Sequence, residues 1–105
     1  MKRYTVIIED SAKLDVQDSY NWGCRVWGVE RAHKWARELR GAILTKLALT
    51  PLGFPVAPDS NEFGEEVRQM IVGRYRVLFC VRSRRVHVLH IKGAYIGTLE
   101  PDTEG

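Results

Sequence analysis

Glu65-Glu66-Val67-Arg68-Gln69-Met70-Ile71-Val72-Gly73-Arg74-Tyr75-Arg76-Val77-Leu78-Phe79-Cys80-Val81 decides how the chain is read. It is two short apolar strands joined at Gly73, with arginines set into the pattern. Side chains alternate across a strand, so Tyr75, Val77, Phe79 and Val81 share one face, and Arg76, Leu78, Cys80 and Arg82 share the other. Both faces are partly apolar. The expectation is that one packs on helices while the other forms a half-open surface carrying Arg76. Arg68 shares a face with Met70, and whether it points the same way as Arg76 depends on a register that alternation leaves open. No acidic residue occurs between Glu66 and Glu100, while Arg68, Arg74, Arg76, Arg82, Arg84, Arg85 and Lys92 fall in that interval. A sheet gathering this much uncompensated positive charge is expected to meet something negative, either nucleic acid or an acidic protein.

Outward from this stretch, Ser83-Arg84 reads as a tight turn into a further strand over Arg85 to Lys92. Upstream, Arg3 to Ile8 reads as a first strand, rich in β-branched residues. Glu9-Asp10-Ser11 then offers a helix start. Ala12, Val16, Tyr20 and Trp27 recur on one helical face, with Asp15, Gln17 and Asp18 on the other, and Gly23 and Gly28 break this helix around residues 23 to 29. Ala32, Trp35, Ala36, Leu39, Ile43 and Leu47 give the clearest helical spacing, ended by Thr50-Pro51-Leu52-Gly53. Residues 51 to 64 are punctuated by proline and glycine and are either mobile or laid against the sheet. The order β-α-α-β-β-β predicts an α+β domain, with an N-terminal helical hairpin packed on a largely antiparallel four-stranded sheet.

With 105 residues the chain is expected to be one domain over residues 1–98, followed by a short acidic tail over 99–105. No apolar run approaches the ~20 residues of a membrane span, and no signal peptide is recognised, which points to a cytoplasmic protein with no membrane partner. Cys24 and Cys80 lack CxxC spacing, and the three histidines lack metal-ligand spacing, so no metal and no cofactor are expected. The formal charge is +3, from 16 bases and 13 acids. Glu100, Asp102 and Glu104 lie in the tail, which leaves 16 bases against 10 acids, near +6, in the body. His90 reads as a partly buried, hydrogen-bonded histidine, with a general-acid role as the sharper alternative. Trp35 fits the core stripe, whereas Trp22 and Trp27 are expected near an exposed hairpin end, where aromatics mark partner surfaces.

The ordered set of Ala12, Asp15-Val16 and Tyr20, then Ala32, Trp35, Leu39, Ala42-Ile43 and Leu47, then Thr50-Pro51-Leu52-Gly53, Val67-Arg68-Gln69-Met70, Val72 to Phe79 and Val86 to Ile91 resembles the RelE/ParE superfamily. These are toxins of bacterial type II toxin–antitoxin modules. The resemblance covers roughly residues 4 to 95 and implies a cognate antitoxin, with which the chain would form a hetero-oligomer. RelE-type members cut mRNA on the ribosome; ParE-type members act on DNA gyrase. Metal-free RNA scission needs a base, cations and an acid around the phosphate. In RelE itself these are lysines in the strand before the Gly-x-Tyr-Arg segment, the arginine of that segment, and an arginine and tyrosine after the last strand. Other nuclease subfamilies use a histidine and tyrosine near that end, for which His90 and Tyr95 could be offered. Arg76 matches the segment's arginine, but the preceding strand has no lysine, and Ala94 stands where the later arginine would be. The resemblance therefore implies the ParE branch, a gyrase inhibitor. An alternative is an mRNA endonuclease using Arg76 with Arg68, His90 and Tyr95, and another is a degenerate antitoxin-binding member. The surface expected to bind a partner comprises Arg68, Arg74, Arg76, Arg82 and Lys92 with Trp22 and Trp27.

Overall fold

Tyr75–Arg82 forms an inner strand of a four-stranded sheet in the computed structural model, which describes residues 3–93. In chain order the elements are β1 (Thr5–Ile8), α1 (Asp10–Val26), α2 (Val29–Leu49), β2 (Arg68–Val72), β3 (Tyr75–Arg82) and β4 (Arg85–Gly93). Short 3₁₀ turns at Pro51–Gly53 and Ser60–Phe63 interrupt the segment between α2 and β2. The sheet order is β1-β4-β3-β2, with β1 parallel to β4 and the other two pairings antiparallel. This is the expected α+β arrangement. The helices break at Gly28, whose φ of 98° is closed to ordinary side chains, and α2 stops at Thr50-Pro51. No helix among the described residues is long and apolar enough to cross a membrane.

Leu39, Ile43 and Leu47 of α2 pack with Val77 and Phe79 of β3 and Val86 and Val88 of β4 into the main core. The helical spacing of the first set and the two-residue spacing of the others make this one continuous apolar layer. The β2–β3 pairing sets Arg68 opposite Phe79, Gln69 opposite Leu78 and Ile71 opposite Arg76. Arg68 therefore belongs to the helix-facing side and Arg76 to the far side. Between β3 and β4 the register slips, so that Leu78 faces His90 while Phe79 faces Val88. Leu89 is the extra residue of this bulge, and both Leu89 and His90 lie on the far side.

The far side is not half-open, as alternation led one to expect. Residues 55–67 return across it and bury Leu78 (0% exposed) and Cys80 (1%). Ala57, Val67 and Leu78 form a second apolar cluster there, bordered by Phe63 and Leu89. Backbone bonds from Gln69 N–H to Pro55 O (3.0 Å) and from Ala57 N–H to Val67 O (2.8 Å) hold the segment along the outer edge of β2. Ser60 Oγ accepts from Val67 N–H at 2.8 Å and donates to Glu65 O at 3.3 Å. Pro51 to Gly64 thus lies against the sheet.

At the opposite edge β1 is only four residues long. Where it stops, the start of α1 takes over the free edge of β4. Glu9 N–H donates to Val88 O (3.0 Å), Ser11 Oγ donates to Leu89 O (2.6 Å), and Asp15 Oδ2 accepts from Ile91 N–H (2.9 Å). Buried backbone groups that would otherwise lack partners are satisfied in this way.

Two outcomes follow from this packing. Phe79→Ala, at a fully buried position in the main core, will destabilise the fold by about 3–5 kcal/mol in urea denaturation. The Cys80 thiol is pushed up to about 11, chiefly by burial and then by the nearby Glu65 carboxylate. Titration of the native protein with a thiol reagent at pH 8 will therefore modify the half-buried Cys24 promptly, and Cys80 only after unfolding.

Candidate partner-binding surface

The far side of the sheet carries Arg76 and Arg82, and each has a carboxylate of its own chain. Arg76 donates from Nη2 to Asp59 Oδ1 at 2.7 Å and from Nε to Gln69 Oε1 at 3.0 Å. Its side chain and that of Asp59 are 23% and 22% exposed, so the pair is partly withdrawn from water. Arg82 grips Glu65 with two bonds, Nε to Oε1 at 3.2 Å and Nη2 to Oε2 at 2.7 Å, in a more exposed setting. Arg68, on the helix-facing side, donates to Phe54 O at 2.6 Å and to Glu66 Oε1 at 3.2 Å. The expectation of an uncompensated cationic sheet holds only in part, because Arg68, Arg76 and Arg82 are paired within the chain. The interval from 67 to 99 is free of acids in sequence, but the segment laid over the sheet supplies Asp59, Glu65 and Glu66 from just before it.

The four residues of the nuclease alternative are not brought together among the described residues. Arg68 and Arg76 lie on opposite faces, and Tyr95 lies outside the described residues. His90 Nδ1 is 3.0 Å from Asp15 Oδ2, and its ring lies 6.3 Å from that of Phe63. It is the partly buried, hydrogen-bonded histidine that the sequence suggested. His87 is matched in the same way by Glu9 at 2.7 Å, a partner that sequence reading missed. Glu9 stands at the N-cap of α1 and Asp15 lies in its second turn, on the face that the helical spacing set opposite Ala12, Val16 and Tyr20.

Lys92 faces Arg76 across β3 and β4, with its Nζ 5.8 Å from the Phe63 ring centroid. Arg74, Arg84, Arg85 and Lys92 form no ion pair among the described residues, and Arg84 lies over the Tyr4 ring at 5.4 Å. The larger reserve of unpaired charge is on α2. Its exposed side carries Arg31, Lys34, Arg37 and Arg40, and the whole helix holds five bases against two acids.

Trp22 and Trp27 are half-buried, not fully displayed. Their rings meet edge to face at 5.3 Å and wall a cavity of about 260 Å³ together with Trp35, Val72, Arg74 and Tyr75. A second hollow of about 330 Å³ runs between α1 and α2. Val16, Tyr20, Leu39 and Ile43 line it, and Lys13 and Arg40 are also part of its wall. Each hollow offers apolar surface beside a basic side chain, an arrangement suited to an amphipathic segment with acidic residues.

The Arg76 and Arg82 guanidiniums hold the Asp59 and Glu65 carboxyls below the ordinary carboxylate range. A lowered native pKa gives stability that is complete above the unfolded value and is lost as pH falls through the native one. Urea midpoints will therefore be level near neutrality and decline once pH drops below about 4. Asp59→Asn will cost about 1 kcal/mol at pH 7 and flatten that acid decline. An undiminished decline in the variant would remove Asp59 from the account.

No family model matches the chain, and no curated protein matches it in sequence. Among solved structures it is similar to a chain from one described as a chromosomal ParDE toxin–antitoxin system from P. aeruginosa. The TM-score is 0.70 at 16% identity, covering 86% of this chain and 95% of that one. The likeness is one of fold: a helical hairpin over one side of a mixed four-stranded sheet, in the β-α-α-β-β-β order implied by the resemblance to RelE/ParE toxins.

Proposed function

We propose that this protein is the toxin of a type II toxin–antitoxin pair, of the ParE kind, and that it inhibits DNA gyrase by binding without cutting RNA. The shared fold supports the toxin–antitoxin part of this reading. The observation that carries the binding part is the state of Arg76. A guanidinium that is to stabilise a phosphorane must be open to the substrate. Arg76 instead spends its donors on Asp59 and Gln69. Admitting a phosphate there means displacing a carboxylate and exposing the second apolar cluster beneath the same segment. Arg68 is on the wrong side of the sheet to assist.

The cognate antitoxin is an acidic, amphipathic segment seated in the hollow between α1 and α2, with Lys13 and Arg40 drawing its carboxylates. Opposite charge speeds such an encounter, and burial of the apolar lining holds the complex. The unpaired bases of α2 extend the attraction beyond the hollow itself.

Purified protein added to a gyrase supercoiling reaction and to a translation reaction read by primer extension tests the reading. The expected result is blocked supercoiling with intact mRNA, unchanged in Arg76→Ala. Codon-positioned cuts that vanish in Arg76→Ala would establish the nuclease instead. Activity in neither reaction, with the antitoxin still bound, would identify a degenerate member. The site of the antitoxin has its own check: Ala36→Trp, which fills the hollow between the helices, will weaken antitoxin binding at least tenfold by calorimetry while leaving the circular dichroism unchanged.

A further inference from the structure

All three tryptophans of the chain converge on a single cavity. Trp22 comes from α1, Trp27 from the joint between the helices and Trp35 from α2, with Tyr75 of β3 packed 4.9 Å from Trp35. The volume, about 260 Å³, is small for a cofactor-sized ligand and suits one or two large side chains. A shallower hollow bounded by Arg31 and Lys34 shares Trp27, Trp35 and Glu38 with it. Arg31, Lys34 and Arg74 thus stand around the aromatic walls against the single acid Glu38, and none of the three forms an ion pair among the described residues. The Trp35 Nε1–H is buried and has no acceptor among the described residues. A buried donor of this kind favours an occupant that brings a carbonyl or carboxylate.

We propose that this cavity is the docking site for the chain's own segment 94–105. Gly93, the residue from which that segment departs, is itself part of the cavity lining. The segment reads Ala94-Tyr95-Ile96-Gly97-Thr98-Leu99-Glu100-Pro101-Asp102-Thr103-Glu104-Gly105, with its large apolar residues first, three acids after them and no base. That order matches the surface: aromatic walls beside Gly93, then basic side chains farther out. Chain length permits it, because a residue spans at most about 3.3–3.6 Å and Tyr95 and Ile96 are only two and three residues from Gly93. Tethering places the segment at an effective concentration in the millimolar range, so modest contacts suffice. The inference does not rest on the toxin reading, and its test uses no measure of toxicity.

Because no tryptophan lies elsewhere, intrinsic fluorescence reports on this cavity alone. Acrylamide quenching and emission maxima are compared between the full chain and the double variant Ile96→Ser, Leu99→Ser, with circular dichroism to verify the fold. The expected result is at least a doubling of the quenching constant and a red-shifted emission in the variant. Arg74→Glu is expected to shift both readings in the same direction, and Glu100→Arg added to it to restore them. Unchanged quenching in the double variant would overturn the proposal. So would quenching in the native chain that varies with protein concentration, since that would assign the contact to a second copy.

Discussion

The return of residues 55–67 over the far side of the sheet is the constraint on which the rest of the structure depends. It converts what would be one apolar layer into two, and it delivers Asp59 and Glu65 to the guanidiniums of Arg76 and Arg82. The two effects support each other. Ala57 and Val67 cover Leu78, and the ion pairs on either side of that patch fix the covering segment in place. A charged side chain next to a buried apolar patch is tolerable only when it is paired or keeps its head in water, and here Arg76 is paired while Arg82 is both paired and 51% exposed.

The charge of the molecule is redistributed as a result. Three guanidiniums of the sheet, Arg68, Arg76 and Arg82, are neutralised, and the bases without an ion pair among the described residues are those of α2, Arg74, Arg84 and Arg85 at the turns, and Lys92 of β4. An anionic partner approaching from solution is steered toward the helical layer, which is also where the two apolar hollows open. Apolar lining and positive potential thus coincide on the helices, whereas linear sequence placed them on the strands.

Much of the architecture was legible because local periodicity encodes it. Tyr75, Val77, Phe79 and Val81 alternate as a buried face requires, Ala32 to Leu47 repeat as a helix requires, and Gly28 and Pro51 mark breaks that no other residues explain as well. The candidate site was less legible, for two physical reasons. Ion pairs such as Arg76–Asp59 and Arg82–Glu65 join residues 17 apart through a tertiary fold-back, and nothing local announces which carboxylate will reach which guanidinium. The bulge at Leu89 also breaks alternation in β4: unbroken pairing would set His90 beside Val86 and Val88, whereas the inserted residue turns it to the far side and gives Ile91 the core position. One signal was available. Four acids, Asp59, Glu62, Glu65 and Glu66, crowd the proline-rich segment just before the arginine-rich strands, and that adjacency hinted at mutual neutralisation.

The way α1 completes the free edge of β4 bears on biosynthesis. Ser11 bonds to Leu89 and Glu9 to His87 across 78 residues, and β1 finds its strand partner only in Arg85 to Val88. Contacts so distant along the chain make closure of the fold a late and comparatively slow event. While a ribosome is still extending the polypeptide short of residue 85, the first strand has nothing to pair with and the sheet cannot close. A nascent chain is therefore held without its native surfaces until translation has passed β4.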